Sequence, residues 1–91
     1  MSSGPTYAVE FSRDAKEAMA KLPRDARVAI GSKIDALRTD PRPHGCLKLT
    51  NASGYYRIRA GNYRVVYDVR DATLFIFVVK VGSRKDVYEG L

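Results

Sequence analysis

The chain is poor in the residues that hold small proteins together from outside the core. It contains one cysteine, Cys46, and one histidine, His44. A lone thiol has no partner for a disulfide, and one thiol with one imidazole does not make a set of soft metal ligands. Neither a disulfide nor a metal or other cofactor is expected. Long apolar runs are also missing. The longest, Leu74 to Val79, is far too short to span a bilayer, and the N-terminus has no charged stretch leading into an apolar one. These absences point to a cytoplasmic protein with no membrane partner. Acidic residues are in the minority, ten against sixteen Lys and Arg, which leaves a net charge of +6. That balance suits a polyanionic partner, although an acidic protein would satisfy it as well. There is no internal repeat or low-complexity segment. A chain of 91 residues has room for one domain, able to bury about 60 to 65% of its unfolded surface.

Met1 to Pro5 has the small, polar composition of a tail, and residues 6–91 form the expected domain. Thr6 to Phe11 alternates and reads as a short edge strand. Ser12 is placed to cap a helix whose Ala15, Ala18, Met19 and Leu22 share one stripe, and Pro23 stops it. Asp25 reads as the cap of a second helix bearing Ala26, Ala29, Ile30, Ile34 and Leu37, with Gly31 marking close packing against a neighbour. Pro41 to Gly54 is a long loop in which Cys46 to Leu49 could be extended. Leu74 to Val81 is apolar on both faces, as a central strand requires. Arg84 to Glu89 has room for one helical turn. The order βααβββ predicts an α+β fold: an antiparallel-dominated sheet of about four strands with two N-terminal helices packed on one side.

Tyr55 to Tyr67 carries the strongest pattern. Gly61-Asn62 between two alternating runs signals a two-residue hairpin, with glycine where a type II′ turn needs a positive φ. Pairing outward sets Arg59 opposite Arg64, Ile58 opposite Val65, Arg57 opposite Val66 and Tyr56 opposite Tyr67. Arg57, Arg59 and Arg64 then share one face, while Tyr56, Ile58, Val65 and Tyr67 share the other. Like charges directly across a strand pair are destabilising, so the arrangement implies an anion such as a phosphate. Tyr56, Tyr67, Phe75 and Phe77 are expected in the core, and Cys46 as a small hydrophobe.

Three segments in order, Leu47-Lys48-Leu49, Tyr56 to Tyr67 and Val79 to Tyr88, resemble the RelE/ParE superfamily of toxins from type II toxin–antitoxin pairs. The resemblance implies a toxin neutralised by a cognate antitoxin, with operator DNA reached only through the antitoxin complex. The superfamily divides by activity. RelE-like members are ribosome-dependent endoribonucleases that cut mRNA in the A site, while ParE-like members poison DNA gyrase. A degenerate member could survive as a binding module alone. This chain resembles the nucleases in having basic residues on the first hairpin strand, an arginine just after the turn, an arginine after the Val-Gly break and a tyrosine near the C-terminus.

On that resemblance the catalytic residues are Arg64, Arg84 and Tyr88, with Arg57, Arg59, Lys48 and His44 contacting RNA. The implied chemistry is metal-free attack of a ribose 2′-OH on the adjacent phosphodiester. Two departures from the best-known nuclease matter, because it has lysines where this chain has Arg57 and Arg59. An arginine effectively cannot give up its proton, so the general base is open among Tyr88, Lys48, His44 and the ribosome.

Overall fold

The computed structural model describes residues 6–50, 54–83 and 87. The tail Met1 to Pro5, Arg84, Tyr88 and the rest of the anticipated C-terminal turn lie outside the described residues, apart from Val87. Strand β1 (Ala8–Phe11) leads into helices α1 (Arg13–Lys21) and α2 (Arg24–Leu37). Strands β2 (Leu47–Lys48), β3 (Tyr56–Ala60) and β4 (Tyr63–Arg70) follow, then a single 3₁₀ turn over Asp71–Thr73 and strand β5 (Phe75–Gly82). The fold is α+β with both helices on one side of a sheet of order β1-β5-β4-β3-β2. It has five strands instead of four, because two residues of the long loop pair with β3 as β2. Three of the pairings are antiparallel, and β1 runs parallel to β5 at the edge.

Ser12 caps α1 as its position predicts, its Oγ accepting from the Ala15 amide at 3.0 Å. The same hydroxyl donates to the Val79 carbonyl at 2.6 Å. That carbonyl belongs to an irregularity: Val66 pairs with Lys80 but Tyr67 pairs with Val78, so Val79 is an extra residue on β5. One side chain therefore starts the helix and ties it to the bulge. The second helix starts earlier than expected. Pro23 is the cap residue, with φ −57° and ψ 156°, and Asp25 lies inside the first turn. Proline's fixed φ and missing N–H suit a position where the chain turns into a helix, and Asp25 still meets the positive end of the helix dipole.

The core forms where α1 covers β5 and β1 and α2 covers β3 and β4. Ala15, Ile30, Ile34 and Leu37 meet Ile58, Val65, Tyr67, Ile76 and Val78. Each large apolar side chain so buried contributes about 1.5–3 kcal/mol. Two expectations for α2 fail. Ala29 is exposed, and a methyl added at Gly31 would meet nothing within 4 Å, so this glycine does not serve close packing. Phe75 and Phe77 also depart from expectation. Strand alternation turns them away from the helices, where they are half-buried with ring centroids 6.3 Å apart.

The long loop is held at the end of the sheet remote from the Gly61-Asn62 turn. Arg42 donates from Nη1 and Nη2 to the two carboxylate oxygens of Asp71 at 3.2 and 2.7 Å, and from Nε to the Tyr56 hydroxyl at 3.0 Å. The Tyr7 hydroxyl donates to Asp71 at 2.6 Å, and Tyr67 donates to the Pro41 carbonyl at 2.7 Å. Burial, together with the neighbouring Cys46, pushes the Tyr67 phenol up from its ordinary range. Tyr67 is a neutral core tyrosine with its hydroxyl satisfied.

Candidate active site

The hairpin has the predicted register throughout: Ala60 with Tyr63, Arg59 with Arg64, Ile58 with Val65, Arg57 with Val66 and Tyr56 with Tyr67. Gly61 has φ +62°, and Asn62 is not among the residues with positive φ, as a type II′ turn requires. Ile58, Val65 and Tyr67 enter the core on the helix side. Arg57, Arg59 and Arg64 therefore occupy the opposite face.

Across that face Arg59, Arg64 and Gly82 form one row over three adjacent strands. Glycine ends the row without a side chain, and Val87 packs beside it, 3.5 Å from where a Cβ would stand. An open cavity of about 510 Å³ lies at the turn end of the hairpin, lined by Arg59, Gly61, Asn62, Tyr63, Arg64 and Ser83. The next row is Leu47, Arg57, Val66 and Lys80. Val66 is fully buried, so the face is not uniformly cationic. Lys80 is engaged by Asp14 of α1 at 2.7 Å, and this contact holds the Asp14 carboxyl below its usual range. Arg57 is half-buried, and its Nε is enclosed without a hydrogen-bond partner among the described residues.

Arg59 and Arg64 have no ion-pair partner among the described residues. A guanidinium cannot relieve repulsion by losing its proton, and its planar fork fits a phosphate with two parallel hydrogen bonds. The cavity is thus suited to hold an anionic oxygen pair and to stabilise extra negative charge on it.

The other residues singled out in the sequence are dispersed. Lys48 pairs with Tyr56, and its Nζ lies 5.8 Å from the centre of the Tyr56 ring. That places Lys48 on the helix side, away from the arginines. His44 lines a separate cavity of about 220 Å³ with Lys33 and Arg59. Arg84 follows Ser83 directly in the chain, and with Tyr88 it lies outside the described residues. Sequence reasoning did not select Asn62, Tyr63 or Ser83. Their signal is adjacency alone: two follow the turn glycine, and the third follows the glycine that ends β5.

Comparison with known proteins gives this site its context. The family described as the ParE toxin of the type II toxin–antitoxin system parDE matches residues 9–88. The chain belongs to the RelE/ParE superfamily of toxins. A putative RelE-like toxin protein of Escherichia coli is 35% identical over 86 residues, covering 90% of each chain. The mRNA interferase toxin RelE of Escherichia coli strain K12 is 31% identical over 81 residues, covering 87% of this toxin and 84% of that one. Among solved structures, the archaeal RelE–RelB complex from Pyrococcus horikoshii OT3 aligns with TM-score 0.77 and 28% identity, over 88% of this toxin and 97% of that chain. The intact Escherichia coli RelBE toxin–antitoxin complex aligns with TM-score 0.75 and 30% identity, over 87% of this toxin and 98% of that chain. The toxin is RelE-like in both sequence relatives and fold.

Proposed function

We propose that this toxin is a ribosome-dependent mRNA endoribonuclease that cleaves in the A site. It would act in the cytoplasm and be neutralised by a cognate antitoxin, as the RelE of the RelBE complex is joined to its antitoxin. The observation that supports this most is the opposed Arg59 and Arg64 beside an open polar cavity, in a chain with a relative named mRNA interferase.

In the proposed reaction the ribose 2′-oxygen attacks the adjacent phosphorus and the bond to the 5′-oxygen breaks. One proton leaves the 2′-hydroxyl and one reaches the departing 5′-oxygen, giving a 2′,3′-cyclic phosphate and a 5′-hydroxyl. Arg59 and Arg57 would grip phosphates, while Arg64 and Arg84 stabilise the phosphorane. Tyr88 would orient or stack the nucleotide and share in proton transfer. Removing one such charge-stabilising group typically costs about 10²–10³ in rate. Lys48, paired with Tyr56 on the helix side, is set away from the Arg59–Arg64 cavity, which leaves Tyr88, His44 and the ribosome as sources of the base.

The test is to add the purified toxin to programmed ribosomes and map the mRNA ends. Cleavage in the A site that falls about 10²-fold or more in Arg64→Ala, Arg84→Ala and Tyr88→Ala supports the reading. Absence of cleavage, or cleavage undiminished in the variants, overturns it. The ParE family match over residues 9–88 favours a second reading, a gyrase poison, which predicts inhibited DNA supercoiling without new RNA ends.

A further inference from the structure

We infer that the cavity between Lys33, His44 and Arg59 is a second nucleotide subsite, which seats a base of the same single-stranded RNA whose phosphates lie at Arg59 and Arg64. The inference rests on the RNA reading proposed above and adds a location for the strand beyond the scissile phosphate. Its starting point is that Arg59 lines both cavities. The two spaces are therefore neighbours that share one residue of β3, and a strand gripped by Arg59 can continue around the edge of β3 from one into the other.

The second cavity has the composition this role needs. Lys33 from α2 and His44 from the loop supply basic groups, and no acidic residue lines it. The cavity between α1 and β5 differs, since Asp14 and Glu17 line it together with Lys21 and Lys80. Ile58, Ala36 and Pro43 give the second cavity an apolar wall. At about 220 Å³ it falls below the roughly 300–1,000 Å³ of pockets that enclose a whole small molecule, a size for one inserted group. A planar base against an apolar wall and an imidazole, with its phosphate near a lysine, matches how proteins hold unstacked RNA bases.

The backbone adds a reading edge. Strand β2 pairs only with Tyr56 and Arg57, so among the described residues no strand pairs with this edge of β3 from Ile58 onward. In a two-residue hairpin closed by Ala60 and Tyr63, hydrogen-bonded and non-hydrogen-bonded pairs alternate, which makes Arg59–Arg64 a non-hydrogen-bonded pair. The N–H and C=O of Arg59 therefore point to the open edge of β3. One donor and one acceptor there can pair with the edge of a base while the Arg59 side chain holds phosphate.

The experiment measures binding of fluorescein-labelled single-stranded RNA to the full chain by anisotropy at fixed salt, with a dinucleotide and a hexanucleotide. The variants are Lys33→Gln, His44→Ala and Ala36→Leu, all at exposed positions, with Arg64→Ala as the reference; thermal midpoints show that each remains folded. The expected result is that Ala36→Leu weakens the hexanucleotide about tenfold and leaves the dinucleotide unchanged. Lys33→Gln and His44→Ala should act in the same direction, and Arg64→Ala should weaken both lengths. If Arg64→Ala weakens both and the other three change neither, the subsite is overturned while the RNA reading stands. If the wild-type chain binds neither length, both fall. Variants that weaken a bound antitoxin but not RNA would make the cavity a protein contact and also overturn the subsite.

Discussion

Arg59 and Arg64 stand directly opposite each other across the β3–β4 hairpin, with no ion-pair partner for either among the described residues. Like charges so placed repel by roughly 0.2–1 kcal/mol. Replacing one should therefore stabilise the fold. Arg59→Thr is expected to raise the free energy of unfolding in urea by that amount while weakening RNA binding. Because the pair is reached by solvent, added salt should stabilise the wild type more than the variant. A variant less stable than wild type at low salt would show that the pair is not a source of strain.

Gly31 lies in the middle of α2 with nothing within 4 Å of where a methyl group would go. An interior helical glycine costs about 1 kcal/mol relative to alanine. Gly31→Ala should stabilise the toxin by about that much in equilibrium urea denaturation, without change in mRNA cleavage.

Ser12 uses one hydroxyl for two purposes, capping α1 and holding the Val79 carbonyl of the β5 bulge. Loss of a serine cap alone costs about 0.5–2 kcal/mol. Ser12→Ala should fall at the upper end of that range, because the Val79 carbonyl loses its donor too. Ser12→Thr keeps the hydroxyl and should recover most of the loss.

Arg42 and Tyr7 hold the Asp71 carboxyl at about 2 through their hydrogen bonds. In the unfolded chain it returns to about 3.9. A depressed carboxylate pKa contributes stability that is fully present above the unfolded value and is lost as pH falls from about 4 through 2. Asp14, lowered by Lys80, acts in the same direction. Urea midpoints should thus decline on acidification through this window, and the decline should be shallower in Asp71→Asn. An unchanged acid limb in that variant would show that Asp71 is not a principal acid-sensitive group.

The local features of this protein were determined by sequence at short range. The Gly61-Asn62 turn fixes the hairpin register because only glycine meets its positive φ cheaply, and side-chain alternation then puts three arginines on one face. Ser12 and Pro23 set the boundaries of α1 for similarly local reasons. Only the tertiary structure decided what depends on distant partners. The parallel pairing of β1 with β5, the bulge at Val79 and the closure of Arg42 on Asp71 join residues far apart in the chain. No periodicity encodes them. The same holds for the placement of Lys48 and His44, which look alike as loop residues in the sequence. Pairing with Tyr56 turns Lys48 to the helix side, while packing of the loop beside α2 sets His44 in a cavity with Arg59. A residue's type can suggest phosphate chemistry, but which face it joins is set by the strand that pairs with it.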